Sequence, residues 1–197
     1  MSKFIVFEGI DGSGKSTLAK MLDEYLKENG IKTEFTREPY DRGFGSDIRK
    51  LFSKYDDQLN AKTELFLFEA ARVEHVETVI KPALRAGKTV ISDRFTDSSV
   101  AYQGYAQKSV DESVIHELND IAIGSIEPDI IFWIDADVKE CMSRSKKTDA
   151  KDSKPREFYE KCREYYAKKA ATTDSCIRID GNGTINEVFN RIKMYFY

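Results

Sequence analysis

Eight consecutive residues, Gly9-Ile10-Asp11-Gly12-Ser13-Gly14-Lys15-Ser16, carry the densest chemistry in the chain. Their spacing fits G-x-x-x-x-G-K-[ST], in which glycines let backbone N–H groups turn inward around phosphate oxygens. In such a loop the Lys15 ammonium can reach the β- and γ-phosphates, and the Ser16 hydroxyl can bind Mg²⁺. Thr17 continues the run. The flanks agree with this reading. Phe4-Ile5-Val6-Phe7 is apolar and β-prone, and from Ser16 to Asn29 apolar residues recur at Leu18, Met21, Leu22, Tyr25 and Leu26, a helical period. Strand, glycine loop and helix put a bound anion at a helix N-terminus. The sequence therefore predicts a nucleoside triphosphate site, the bland alternative being a glycine turn that binds nothing.

Such a loop needs a frame. Asn29-Gly30 stops the first helix, Ile31–Thr36 reads as a second strand, and a polar turn leads to a short helix near Ser46–Phe52. Asn60 to Ala86 is predicted as one long helical stretch, with Asn60 as N-cap and Gly87 as the stop. A third strand, Lys88–Ser92, ends at Asp93-Arg94, and helical patterns follow to about Gly124. The apolar run Asp129–Ile134 is a fourth strand ending at Asp135. A helix from about Asp137, a charged segment over 145–155 and a helix opened by Pro155 come next. Cys176–Ile179 is the fifth strand and Thr184–Tyr195 the terminal helix. Strands separated by helices predict an α/β fold: a five-stranded parallel sheet between two helical layers, one domain over residues 1–197. Ligands of such sheets lie beyond the carboxyl ends of the strands. The glycine loop, Arg37-Glu38, Asp93-Arg94 and Asp135 all fall there, so they can converge.

A formal net charge of −3, with 41% hydrophobic and 33% charged residues, fits a globular protein and argues against general nucleic-acid or anionic-membrane binding. No apolar run approaches transmembrane length and no signal-peptide pattern is present, so a cytoplasmic location is expected. Cys141, Cys162 and Cys176 are widely spaced and odd in number, which predicts free thiols in a reducing compartment. His75 and His116 are the only histidines, so a histidine-rich metal site is disfavoured; each is expected at the surface or in helix packing.

Taken together, these strand ends resemble the thymidylate kinases, P-loop nucleoside monophosphate kinases. The resemblance spans essentially the whole chain. It rests on Phe7-Glu8-Gly9-Ile10-Asp11-Gly12-Ser13-Gly14-Lys15-Ser16-Thr17, Thr36-Arg37-Glu38-Pro39, Phe68-Glu69-Ala70-Ala71-Arg72, Ser92-Asp93-Arg94-Phe95 and Ser98-Ser99-Val100-Ala101-Tyr102-Gln103-Gly104. It implies transfer of the γ-phosphate of ATP to dTMP, with Mg²⁺, in a homodimer. Phosphoryl transfer between two anions rests on positioning and charge neutralisation. Lys15 and Mg²⁺ serve the donor. The acceptor phosphate calls for bidentate guanidinium groups, for which Arg94, Arg37 and Arg49 are candidates. The family's Asp-Arg motif ranks Arg94 first. Each arginine has a surface ion pair as its bland reading.

Asp93 and Asp135 both end apolar strands, and strand position alone leaves both as metal-orienting candidates. The resemblance favours Asp93, with Ser16, and leaves Asp135 as a turn or N-cap residue. Asp11 matches the family carboxylate near the acceptor 3′-OH. Phe68 and Arg72 are spaced i,i+4 on one helix face, suited to stacking a flat base and donating to its carbonyl. Phe68 alone would read as core, beside Leu65, Phe66 and Leu67. By resemblance Ser99 contacts thymine N3, Tyr102 crowds the sugar 2′ position, and Gln103 belongs to the same substrate-binding motif. The segment 144–156 carries six cations and two acids and otherwise reads as a solvated loop. The resemblance makes it a mobile lid, with Arg144 on adenine and one or more of Lys146, Lys147, Lys151 and Lys154 toward the γ-phosphate. Two departures stand out: Gly12 rather than arginine in the loop with a lysine-rich lid, and Tyr40-Asp41-Arg42 after Pro39, where Arg42 could add a cation. The alternatives are a related P-loop kinase for another deoxynucleoside monophosphate or a deoxynucleoside, and a nucleotide switch. For a GTPase switch the chain lacks an Asn-Lys-x-Asp guanine motif.

Overall fold

The computed structural model describes residues 2–40, 42–55, 58–145 and 154–196. Along the chain run β1 (Phe4–Glu8), α1 (Lys15–Glu28), β2 (Thr33–Arg37), α2 (Gly43–Tyr55) and α3 (Ala61–His75). A wide π-type turn (Val76–Ile80) leads into α4 (Lys81–Arg85), then β3 (Thr89–Asp93) and α5 (Thr96–Ser99). A second π-type segment (Val100–Ala106) precedes α6 (Glu112–Ile123), β4 (Ile130–Asp135), α7 (Val138–Ser145), α8 (Arg156–Thr172), β5 (Cys176–Asp180) and α9 (Ile185–Lys193). The strands form one parallel five-stranded sheet in the order β2-β3-β1-β4-β5.

Strand alternation builds the layers. Phe4 and Val6 of β1, with Ile131 and Trp133 of β4, face one core shared with residues of α3, α4, α6 and α8. Ile5 and Phe7, with Phe132 and Ile134, face the other core, closed by Leu18, Leu22 and Leu26 of α1 and Val188, Phe189 and Ile192 of α9. Strands buried on both faces read as continuous apolar runs, which is why β1 and β4 stand out in the sequence. Asn60 caps α3 through its side chain, accepting from the Lys62 N–H at 2.9 Å, and Thr184 with Glu187 forms a capping box for α9.

The long helix predicted over 60–86 is interrupted. Pro82 stands in the first turn of α4, where it has no N–H to donate to the i−4 carbonyl; the backbone widens just before it. The second helix is longer than the predicted 46–52. Its start packs tightly: a Cβ on Gly45 would stand 2.4 Å from the Tyr40 carbonyl oxygen. The three cysteines are free and buried, and His116 is exposed, as expected. His75 packs within the helical layer, fully buried. No helix among the described residues is long and apolar enough to cross a membrane.

Candidate active site

The donor loop leaves β1 at Glu8 and reaches α1 at Lys15. Gly9, Gly12 and Gly14 have φ of 141°, 79° and 92°, left-handed conformations that favour glycine. Space demands it too: a Cβ on Gly12 would lie 2.1 Å from the Cys141 carbonyl oxygen. Gly14 caps α1 with no side chain, and the first turn holds no acid, so the amides at this helix end remain available to an anion. Lys15 lies almost wholly inside, its Nζ 3.3 Å from the Ile10 carbonyl and 3.6 Å from Asp11. Burial and then Arg94 push its pKa down, against the pull of Asp11, Asp93 and Glu8. Phosphate oxygens would relieve that cost.

Arg94 stands across from the loop, at the end of β3. Its backbone is left-handed, with φ of 75°, and its N–H donates to Phe7 O at 2.9 Å. Nη1 donates to Ser98 Oγ at 2.8 Å; Nη2 pairs with Asp11 and donates to the Tyr102 hydroxyl at 3.2 Å. The guanidinium also lies 4.9 Å from the Tyr102 ring centre, and the Tyr102 hydroxyl donates to Asp11 Oδ2 at 3.2 Å. Burial raises the Asp11 pKa, but Arg94 and Lys15 outweigh it and hold the carboxyl at about 2. Loop, β3 end and second π-type segment thus meet at one point.

The two aspartates separate. Both oxygens of Asp135 are taken: Arg163 Nε donates to Oδ1 at 2.5 Å, and Arg178 Nη2 lies 2.6 Å from Oδ2. Nor is Asp135 an N-cap; Asp137 takes that part, accepting from Glu140 N–H at 3.0 Å. The turn-or-cap reading is corrected accordingly: two arginines need Asp135 as their counter-charge. Asp93, by contrast, is buried, and its Oδ1 has no hydrogen-bond partner among the described residues.

Beyond Arg94 lies a second buried cluster. Arg72 Nε donates to Glu38 Oε2 at 2.8 Å, and Nη1 donates to Glu69 Oε1 at 2.5 Å and Asn119 Oδ1 at 2.6 Å. Nη2 donates to Ser99 Oγ at 3.0 Å and reaches Phe95 O at 3.4 Å. Burial opposes its charge, yet Glu38 and Glu69 hold Arg72 firmly protonated. Burial raises Glu69, whereas Arg72 and His75 hold Glu38 low in spite of burial. Phe68, half-buried, stacks on Phe52 with ring centres 4.6 Å apart. Arg49 Nη1 donates to Pro39 O at 3.3 Å; Arg37 sits opposite Asp93 in the β2–β3 ladder, its Nε buried without a partner among the described residues. Gln103 is buried, and its carbonyl accepts from the Ser109 N–H and hydroxyl at 3.1 and 2.8 Å.

A family model described as thymidylate kinase matches residues 7–192 of the chain. The chain belongs to the thymidylate kinase family. It is 43% identical to a thymidylate kinase of Thermosipho africanus over 96% of this chain and 95% of that protein. It is 44% identical to one of Fervidobacterium nodosum over 98% of both. A crystal structure of thymidylate kinase from Ehrlichia chaffeensis superposes with a TM-score of 0.81 at 38% identity, over 99% of this chain and 98% of that one.

With the thymidylate kinase fold in place, one group of expected residues meets around Arg94 (Asp11, Lys15, Tyr102) and another around Arg72 (Ser99). Arg144 lies apart from both, exposed and paired with Glu140 at 2.9 Å. Lys146, Lys147 and Lys151 lie outside the described residues, and Lys154 is exposed just before α8. Arg42 is exposed as well. His75, Asn119 and Tyr166 are not marked as site residues by the sequence, and Glu8, Glu38, Glu69 and Ser98 stand in its motifs or strand ends without a role of their own. His75 falls at i+3 from Arg72 and i+7 from Phe68, so extending that helix face would have found it; its Nδ1 lies 3.1 Å from Glu38 and its Nε2 2.6 Å from Thr36 Oγ1. Asn119 carries no local signal, because it meets Arg72 only through the packing of α6 on α3.

Proposed function

We infer that this chain transfers the γ-phosphate of ATP to dTMP, giving dTDP and ADP. Family membership over nearly the full length supports the reaction. The convergence of Lys15, Asp11, Arg94 and Tyr102 supports the assignment of parts. The glycine-loop amides and Lys15 hold the triphosphate; Arg94, already oriented by Ser98, Asp11 and Tyr102, presents its fork to the acceptor phosphate. Arg37 and Arg49 supply further acceptor-side charge. Asp11 lies within reach of the sugar, and the Tyr102 ring crowds its 2′ side. Phe68 stacks the base while Arg72 and Ser99 address its polar edge. The longer contacts of Arg72 are those of Nη2, the amino group best able to turn toward a carbonyl.

The residues also fit Mg²⁺. Asp93 offers a buried carboxylate oxygen that nothing among the described residues satisfies, and Ser16 stands at the start of α1. The pair would hold the ion with waters and phosphates as its other ligands, and the ion would neutralise charge between the β- and γ-phosphates. Arg144 covers adenine as part of a lid over 144–156. A homodimer forms through α3 and α6, which pack together and expose Phe66 and Val73 on the one and Val114 and Ile121 on the other. The buried free thiols fit a reducing cytoplasm. The test is ATP-dependent ADP release across dTMP, dUMP, thymidine, dGMP and AMP. dTMP should react best, and a rate with thymidine or dGMP above that with dTMP would overturn the assignment.

A further inference from the structure

Glu8 is the last residue of β1, immediately before the glycine loop, and is wholly buried. Its Oε1 accepts from the Phe95 N–H at 2.9 Å and the Ser98 N–H at 3.2 Å. Its Oε2 accepts from the Ser98 hydroxyl at 2.7 Å and from the Tyr166 hydroxyl of α8 at 2.8 Å. Ser98 Oγ in turn accepts from Arg94 Nη1 at 2.8 Å. A buried carboxylate without counter-charge is costly, and an aliphatic residue would complete the apolar run of β1 more cheaply. Four donors converge on this one. Two are backbone amides of the segment that follows Arg94, whose own backbone is strained at φ of 75°.

We propose that Glu8 is a positioning residue for the transfer reaction: it fixes the Arg94–Ser98 turn from beneath, so that the Arg94 guanidinium is held toward the acceptor phosphate. Arg94 leaves β3 in a conformation that its side chain disfavours; its own backbone is tied by the N–H bond to Phe7 O and by Ser92 Oγ, which donates to Arg94 O at 2.8 Å. Glu8 supplies the rest by binding the turn's amides and by orienting Ser98, which holds one arm of the guanidinium. Tyr166 grips the same carboxylate from α8, so the support does not shift with the loop. A misplacement of 1 Å at such a group costs about 100-fold in rate.

The proposal rests on the reading of Arg94 as an acceptor-phosphate residue, and the experiment separates the two. kcat and KM are measured for dTMP at saturating ATP and for ATP at saturating dTMP, for wild type, Glu8→Gln, Ser98→Ala, Arg94→Ala and Glu8→Gln/Arg94→Ala, each checked for folding by its Tm. Glu8→Gln keeps the shape and one acceptor oxygen. It should lower kcat/KM for dTMP by about 10-fold to 100-fold, as loss of a supporting contact does, with KM for ATP unchanged, and Ser98→Ala should fall in the same direction. In the Arg94→Ala background, Glu8→Gln should add less than about 2-fold, because residues acting through one group are not additive. An equal further loss in that background, or wild-type kinetics in both Glu8→Gln and Ser98→Ala, would overturn the role of Glu8. Wild-type kinetics in Arg94→Ala would instead overturn the reading beneath it. If Glu8→Gln fails to fold, Tyr166→Phe, which removes one of the donors to Glu8, takes its place alone and with Arg94→Ala, and the same outcomes decide.

Discussion

Around the donor loop the chain presents backbone amides from residues adjacent in sequence, whereas the acceptor side presents side chains drawn from β2, α3, α5 and α6. Lys15 has one carbonyl and one distant carboxylate near its ammonium, while every N–H of Arg72 already has an acceptor inside the protein. The donor side thus keeps its cation under-compensated until an anion arrives. On the acceptor side the Arg72 guanidinium is fully bonded in advance, although Arg37 Nε and Glu69 Oε2 stay unpaired among the described residues, and the same residues hold the fold and read the substrate. Charge held ready for a ligand costs stability, and charge paired internally becomes part of the scaffold.

The sharpest way to break this comparison is to delete one cation from each side. Arg72→Ala strands Glu38 and Glu69 in the interior, and removing one partner of a buried pair costs about 3–5 kcal/mol. For a chain of this length that is a fall in Tm of about 10 °C, readable by calorimetry. Lys15→Ala should leave Tm unchanged or raised, since burial already depresses the ammonium's pKa. A Tm loss in Lys15→Ala equal to that in Arg72→Ala would mean that the two sides are built alike.

In rate the two sides should fall alike. Lys15→Ala and Arg94→Ala should each lower kcat/KM by about 10²-fold to 10³-fold, the cost of losing one preorganised charge in a closed site. Arg94→Lys should not rescue, because an ammonium cannot present the planar fork that now spans Ser98, Asp11 and Tyr102. Steady-state kinetics on folded variants decide it, and near-wild-type rates for Arg94→Lys would reduce Arg94 to a point charge.

The same contrast explains what could be read from the sequence. The glycine loop was legible because its function needs only local spacing, and β1 and β4 because double-sided burial makes unbroken apolar runs. Phe68, Arg72 and His75 share one helical face, which a period of 3.6 exposes. Asn119 could not be found this way: its role depends on α3 meeting α6, a contact no short window encodes, whereas Glu69 pairs with Arg72 three residues on in the same helix. Asp135 misled for a related reason. A carboxylate at a strand end looks the same whether it awaits a metal or neutralises Arg163 and Arg178, and those arginines lie 28 and 43 residues away. The π-type turn before Pro82 was hidden because the apolar period runs on through it.

Acidity offers a third test, since the carboxylates before and within the donor loop, Glu8 and Asp11, move in opposite directions. Burial, then Asp97, raises Glu8 from 4.5 to about 7, against the influence of Arg94. It binds its proton more tightly when folded, so its contribution to stability is complete below 4.5 and is lost as pH rises through about 7. At ~1.4 kcal/mol per unit this amounts to roughly 3 kcal/mol. Asp11 runs the other way: its contribution is present above 3.8 and lost as pH falls toward about 2. Between pH 5 and 8 Glu8 therefore stands clear of Asp11. Wild type should lose stability relative to Glu8→Gln as pH rises across that window, measured by Tm at constant ionic strength. Parallel curves would place Glu8 outside the groups that titrate there.

The finest distinction lies within Tyr102, which carries a ring and a hydroxyl with separate duties. The ring lies under the Arg94 guanidinium and packs edge-on against Phe158, with centres 5.5 Å apart, while the hydroxyl bridges Arg94 and Asp11. Tyr102→Phe keeps the ring and removes the bridge. Losing hydrogen bonds of this kind costs about 1–2 kcal/mol, so kcat/KM for dTMP should fall about 5-fold to 30-fold. The preference for deoxyribose should survive, because it belongs to the volume of the ring and not to its hydroxyl. Tyr102→Ala removes both, and should lower the dTMP rate further while narrowing the ratio of dTMP to ribo-TMP. The pair of substrates on the pair of variants separates the two duties. Loss of sugar discrimination in Tyr102→Phe would assign it to the hydroxyl, and would make the Asp11–Arg94–Tyr102 bridge, not the ring, the element that reads the sugar.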